Sequence, residues 1–250
     1  LARSLNSLGS ILSELGRQEE ALTAATEAVE VFRRLAAADP TAHKPDLARS
    51  LNNLGNILSE LGQQEEALTA ATEAVEIRRR LAMADPATAE PDLARSLNNL
   101  GNRLAGLGRK DEALIAATEA VEIRRRLAAA NPTAHEHSLA RSLNNLGNIL
   151  SELGRQEEAL TAATEAVEVF RRLAAADPTA YEADLAHSLL VAAVFHLNNS
   201  ATTDEALRMT STAVTIFRGL AKHNPIAFME LLQNAEHIQA QLMSRPAKER

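Results

Sequence analysis

The chain of 250 residues carries 26 lysines and arginines against 33 aspartates and glutamates, a formal net charge of −7, and no cysteine. Disulfides, thiol catalysis and cysteine metal sites are excluded, and a reducing cytoplasm is the compatible location. The acidic balance disfavours nucleic acid as the main ligand, and no apolar run approaches the roughly 18 residues that would enter a membrane.

Residues 1–46 return at 139–184 with differences only at Ser7/Asn145, Ser10/Asn148, His43/Tyr181, Lys44/Glu182 and Pro45/Ala183. Further copies start at Leu47 and Leu93 and a diverged one at Leu185, so the chain is a tandem array with a 46-residue period. The expected organisation is a single array over residues 1–243. Its repeats are 1–46, 47–92, 93–138, 139–184 and 185–225, followed by a capping helix at 226–243 and a tail at 244–250.

In the second repeat, Leu47, Leu51, Leu54, Ile57, Leu58 and Leu61 fall on one side of a helix at about 100° per residue. Arg49, Asn53, Asn56 and Glu60 lie opposite, flanked by Asn52 and Ser59, while Ala48 and Gly55 form a strip small enough for close helix approach. Asp46 is placed as N-cap and Gly62 as the left-handed C-terminal stop. A second helix begins near Gln64, with Glu65 and Glu66 at its positive end, and buries Ala67, Leu68, Ala71, Ala74, Val75 and Leu81. Asp85 before Pro86 ends it after roughly 20 residues. Alanine-lined hairpins bury little area each, so stacking must supply the core.

The spacing of Leu51, Leu54-Gly55, Leu58, Gly62, Ala67, Ala71 and Ala74 resembles the tetratricopeptide repeat, with aliphatic residues or alanine at its aromatic positions and a longer second helix. The LARSLNNLG start and that long helix look like the kinesin-light-chain style of repeat, and also like the arrays of bacterial signalling ATPases of the STAND type. The resemblance implies an all-α, right-handed α-solenoid of antiparallel helix pairs whose first helices line a concave groove.

Along the chain, the first repeat has no upstream partner for its leucine and alanine face, so preceding repeats are expected there, or self-association through an open N-terminal end. In the third, Arg103 replaces an isoleucine and makes the middle more positive. The fifth turns apolar, with His187, Leu190, Val191 and Val194 where earlier copies have arginine and asparagines, and its turn runs from Asn198 to Thr203. Those apolar residues are either covered within the array or form a pocket for a partner's anchor. The last helix puts Phe228, Leu231, Leu232, Ala235, Ile238 and Leu242 on one side.

The candidate partner-binding residues are Arg49, Asn53, Asn56, Arg95, Asn99, Asn102, Arg141, Asn145, Asn148, Leu190, Val191 and Val194. Side-chain amides offer a donor and an acceptor to any peptide backbone, although the Asn52, Asn98 and Asn144 row is a candidate for fixing the stacking instead. Three or four such bonds, at a net of about 0.5–1.5 kcal/mol each, fall short of association costs of about 4–15 kcal/mol. Anchors are therefore required: the arginine row Arg3, Arg49, Arg95 and Arg141, or the apolar patch. Arg49 and Arg95 have Asp46 and Asp92 three residues earlier, whereas Arg141 has Ser138. The alternative role for that row is to hold a partner carboxylate.

Arg78-Arg79-Arg80 and Arg124-Arg125-Arg126 are expected to face solvent at helix C-termini. His135 and His137 are placed in a loop, and Ser50, His43 and Asp46 do not form a triad. No phosphate loop, hydrolase elbow or paired catalytic carboxylates appear. The expectation is a non-enzymatic protein- or peptide-binding scaffold without cofactor or metal, the partner-sensing module of a larger bacterial protein. The alternative is a structural spacer or self-assembly element without a groove ligand.

Overall fold

The computed structural model describes residues 1–198 and 203–244, so most of the turn expected from Asn198 to Thr203 and of the tail expected at 244–250 lies outside the described residues. Eleven helices follow one another among them: α1 Ala2–Glu14, α2 Gln18–Ala38, α3 Pro40–Glu60, α4 Gln64–Ala84, α5 Pro86–Gly106, α6 Lys110–Ala130, α7 Pro132–Glu152, α8 Gln156–Ala176, α9 Pro178–Asn198, α10 Thr203–His223 and α11 Pro225–Met243. The fold is an all-α solenoid of antiparallel helix pairs. Two compact units are formed, Leu1–Ile123 and Arg124–Arg250. Within the first, α1 to α4 each pack on the next helix, and within the second α7 to α10 do the same. First helices also touch the first helix of the following pair, as α1 does α3 and α7 does α9.

Two kinds of connection alternate, and the sequence sets both. Inside a pair, Gly62 has φ +77°, a conformation in which a Cβ would be strained, and Gln63 donates its backbone N–H to Leu58 O at 2.9 Å. Gln64 Nε2 ties the turn by donating to Ser59 O at 3.2 Å. Between pairs there is a single extended residue. Asp85 ends α4 and also caps α5, its carboxylate accepting the Thr88 N–H at 3.4 Å, while Pro86 takes the first helical position, where a missing N–H is harmless. Asp39, Asn131 and Asn224 cap α3, α7 and α11 in the same way, and Asp177 occupies the same position before α9.

The expected helix start at Asp46 is therefore corrected. Asp39 is the cap, α3 begins at Pro40, and Asp46 is buried one and a half turns inside the helix. The Asp-Pro pair that stops one helix starts the next, so the stretch that looked like a loop is helical, Pro45 included. Ser138 likewise lies inside α7, and His135 and His137 are on that helix rather than in a loop.

The core is a run of alanines backed by leucines. Ala67, Leu68, Ala71, Ala74 and Val75 are buried on α4, as are Ala48, Leu51, Ile57 and Leu58 on α3. Ile57 inserts among Leu12, Ala21, Ala24 and Ala25 of the preceding pair. Close approach is enforced at Gly55, where an added Cβ would lie 3.3 Å from the Ala67 carbonyl oxygen.

Candidate partner-binding face

The first helices carry three polar rows, and the structure gives them different work. Asn52 is only 6% exposed, and its amide nitrogen donates to Ser96 Oγ, in the next first helix, at 2.7 Å. In the second unit Ser188 Oγ donates to Asn144 Oδ1 at 3.1 Å. The amide serves in either direction, so this row fixes repeat stacking. Ser50, Ser96, Ser142 and Ser188 are all fully buried.

The second row is half-buried. Asn53 donates to Ser10 Oγ at 3.2 Å, whereas Asn99 and Asn145 have no hydrogen-bond partner among the described residues. The third row is exposed. Asn56 accepts from the Arg103 guanidinium at 2.7 Å, while Asn102 and Asn148 have no such partner. Arg103 also donates to Ser59 Oγ at 2.6 Å. Burial pushes this guanidinium below its usual range, and Glu60 opposes that. The charge of the third repeat is thus spent on a bond to the second.

The arginine row also divides. Asp46 lies between two cations, accepting from Arg3 Nη2 at 2.9 Å and from Arg49 Nη2 at 2.6 Å, and Arg95 pairs with Asp92 at 2.6 Å. Arg141 is exposed and has no ion pair or hydrogen-bond partner among the described residues. With Ser138 in place of an aspartate three residues earlier, its own helix offers it no carboxylate at that spacing.

Arg141 opens onto a cavity of about 470 Å³ in the second unit. Asn144, Asn145, Asp184 and His187 supply its other polar lining, and Phe170, Ala183 and Leu231 the apolar part. Asp184 is held by His137, whose Nε2 lies 3.0 Å from its carboxylate. The His137 ring in turn stands edge-on to Phe170, with centroids 5.8 Å apart, and at 5.5 Å from Tyr181. Glu136 pairs with Arg172 of α8 at 2.9 Å. Leu190 is buried, and Val191 and Val194 are half-buried on α9.

The arginine runs do not simply face solvent, and that expectation is corrected. Arg78 is 4% exposed and bonds Pro45 O at 2.9 Å and Asp92 at 2.8 Å, with burial pushing its guanidinium below its usual range. Arg124 is buried too. The signal was in the repeat itself, because Phe32 and Phe170 occupy the same position in the first and fourth copies. The next residue points outward and ties successive second helices, as Arg33 to Glu73 and Arg79 to Glu119 in the first unit and Arg125 to Glu165 in the second.

No group of three or more histidines or acidic residues placed to hold a metal occurs among the described residues, and no described helix is long and apolar enough to cross a membrane.

A tetratricopeptide-repeat family model matches residues 1–40, 47–82, 93–132 and 139–178, which is more than half of the chain. The chain belongs to the tetratricopeptide repeat family. Among solved structures it is similar to BtubC from P. vanneervenii, at 22% identity and a TM-score of 0.62, covering 92% of this chain and 93% of that one. A kinesin-light-chain-like protein of Podospora anserina with nearly identical TPR-like repeats gives 19% identity and a TM-score of 0.64, covering 89% and 96%. MamA gives 17% and 0.52, covering 86% and 96%. No curated protein sequence matches. At these identities the structures share the fold, and its kinesin-light-chain style agrees with the long second helices. A tetratricopeptide array is a protein-interaction scaffold, and in this one the bonding of the first-helix polar rows differs from repeat to repeat.

Proposed function

We propose that the array binds a protein or peptide partner across its first helices, anchored by an acidic group at Arg141, as the partner-sensing part of a larger bacterial protein. The observation that carries this reading is the unpaired Arg141 guanidinium over a cavity that also contains the Asn145 amide. A planar guanidinium holds a carboxylate by two parallel bonds, and an amide with both donor and acceptor free suits the adjoining backbone. In the second unit Asn148, Val191 and Val194 are further candidate contacts, and in the first unit Asn99 and Asn102 have side chains equally open to a ligand. Arg49, Arg95, Asn53 and Asn56 have internal partners, so a ligand must compete for them, and Leu190 contributes little from its buried position.

The test is a pull-down from host lysate with the wild-type array and with the triple variant Arg141→Ala, Asn145→Ala, Asn148→Ala, matched for helicity and melting temperature. A protein held by the first and lost by the second supports the reading, and equal capture by both refutes it.

Self-assembly is the second reading, favoured by one observation: Leu1, Leu8, Ile11 and Leu15 are exposed, Leu1 at 84% and Leu15 at 67%, where later repeats bury Leu47 and Ile57. Light scattering across concentration tests it, and a constant monomer mass counts against it.

A further inference from the structure

We propose that the second unit carries a further contact site, a socket between α6, α7 and α8 that seats a lysine side chain of a peptide partner. It goes beyond the Arg141 cavity, with which it shares no lining residue.

The socket is a cavity of about 360 Å³ at the corner where α6 ends, the extended residue Asn131 turns the chain, and α7 begins beside α8. Small side chains leave this volume unfilled. Ala128 and Ala129 line it from α6, Leu139 from α7 and Val169 from α8, and Ala128, Leu139 and Val169 are buried. Two ion pairs frame this apolar floor, Arg125 with Glu165 at 2.5 Å and Arg172 with Glu136 at 2.9 Å. The remaining charged residue of the lining is Glu168, exposed and without an ion pair or hydrogen-bond partner among the described residues.

The sequence explains why Glu168 is open. In the second repeat the corresponding residues are Glu76 and Arg80, 3.9 Å apart on successive turns of α4, and Lys44 stands in the place of Glu136. A lysine there cannot hold an arginine, so Arg80 turns back to its own helix. Glu136 can, and it draws Arg172 away from Glu168. Two guanidinia then face three carboxylates, and the uncompensated negative charge is at Glu168.

An apolar floor beside a single open carboxylate suits a polymethylene stem that ends in a cation. Lysine fits it better than arginine, because an ammonium is a compact charge, whereas a guanidinium would bring a planar fork between the two already on the rim. The hollow continues along α8 over Leu160, Thr161 and Thr164, and Glu165 and Glu168 belong to both parts. A main chain has room there, so the lysine belongs to a peptide rather than to a free amine.

The test uses the full chain and the peptide acetyl-Ala-Ala-Lys-Ala-Ala-amide, followed through the Leu139 and Val169 methyl signals by nuclear magnetic resonance. These signals should move saturably. The same peptide with norleucine for lysine keeps the stem and loses the charge, and should bind about two- to fivefold more weakly, the range an exposed ion pair gives. The arginine peptide and n-butylammonium should also bind more weakly than the lysine peptide. Glu168→Gln, at an exposed position where folding is not at risk, should abolish the advantage of lysine over norleucine. Glu76→Gln and Arg141→Ala should leave it intact. Methyl signals that stay in place, equal binding of the lysine and norleucine peptides, or an advantage that survives Glu168→Gln would overturn the socket. Arginine peptide or n-butylammonium bound as tightly as the lysine peptide would overturn the assignment to a peptide lysine. Each of these results leaves the Arg141 anchor standing, since neither Arg141 nor its cavity enters the measurement.

Discussion

Replacing Asn52 by alanine separates a stacking role from a ligand role. Its amide nitrogen donates to the hydroxyl of Ser96, which is itself fully buried, across the contact between α3 and α5. The alanine loses a neutral hydrogen bond worth about 0.5–1.5 kcal/mol net and strands a buried hydroxyl, at a cost of about 1–3 kcal/mol. Asn52 Oδ1 has no partner, so its removal relieves part of that penalty. The expected loss is about 1–2 kcal/mol, read from equilibrium urea denaturation followed by far-ultraviolet circular dichroism. Ser96→Ala should cost a similar amount by stranding the amide. The double variant should cost about 1 kcal/mol less than the two singles added together, because the second change has no bond left to break. Partner capture by Asn52→Ala should match the wild type. A single-variant loss within about 0.5 kcal/mol, typical of an exposed residue, together with lost capture would refute the assignment of this row to stacking.

Other outcomes follow from buried charge, close approach and titration. Asp92→Ala leaves the Arg78 guanidinium buried without its carboxylate and should destabilise by about 2 kcal/mol, less than for a fully buried pair because Asp92 is partly exposed. Arg78→Phe, which installs the residue of the first and fourth repeats, should be neutral or stabilising by about 1 kcal/mol in the same denaturation assay. Gly147→Ala would set a Cβ 3.0 Å from the Phe195 ring and 3.3 Å from the Ala159 carbonyl oxygen, so a loss of about 1–3 kcal/mol is expected, partly recovered by Phe195→Leu. Burial pushes the His196 imidazole below its usual range, with Glu205 opposing. Its folded-state value is therefore below the unfolded one, and the unfolded chain takes up the proton first as pH falls. The stability contribution is complete above about pH 6.5 and is lost on acidification. The melting temperature should fall more between neutral and mildly acidic pH for the wild type than for His196→Leu, and equal falls would contradict this.

The sequence by itself determined the elements and their order. A 46-residue period, leucines at helical spacing and a glycine where a left-handed residue must end the helix specify a hairpin locally, and stacking follows because an alanine-lined hairpin buries too little to stand alone. The Asp-Pro junctions misled in one respect, since the same two residues stop a helix and start the next, and only the continuous path through Pro40 and Pro86 revealed it. Tertiary structure decided what each polar row does. Asn52, Asn53 and Asn56 look alike in sequence, yet one is buried on Ser96, one meets Ser10 and one accepts from Arg103, each partner more than 40 residues away. Arg78 and Arg79 are adjacent and chemically identical, but one points into the contact between repeats and the other across its surface. Helical periodicity reports the direction of a side chain from its own axis, whereas burial and pairing depend on where the neighbouring axis lies. Arg141 is free for a local reason besides, because Ser138 stands where Arg49 and Arg95 have an aspartate three residues earlier.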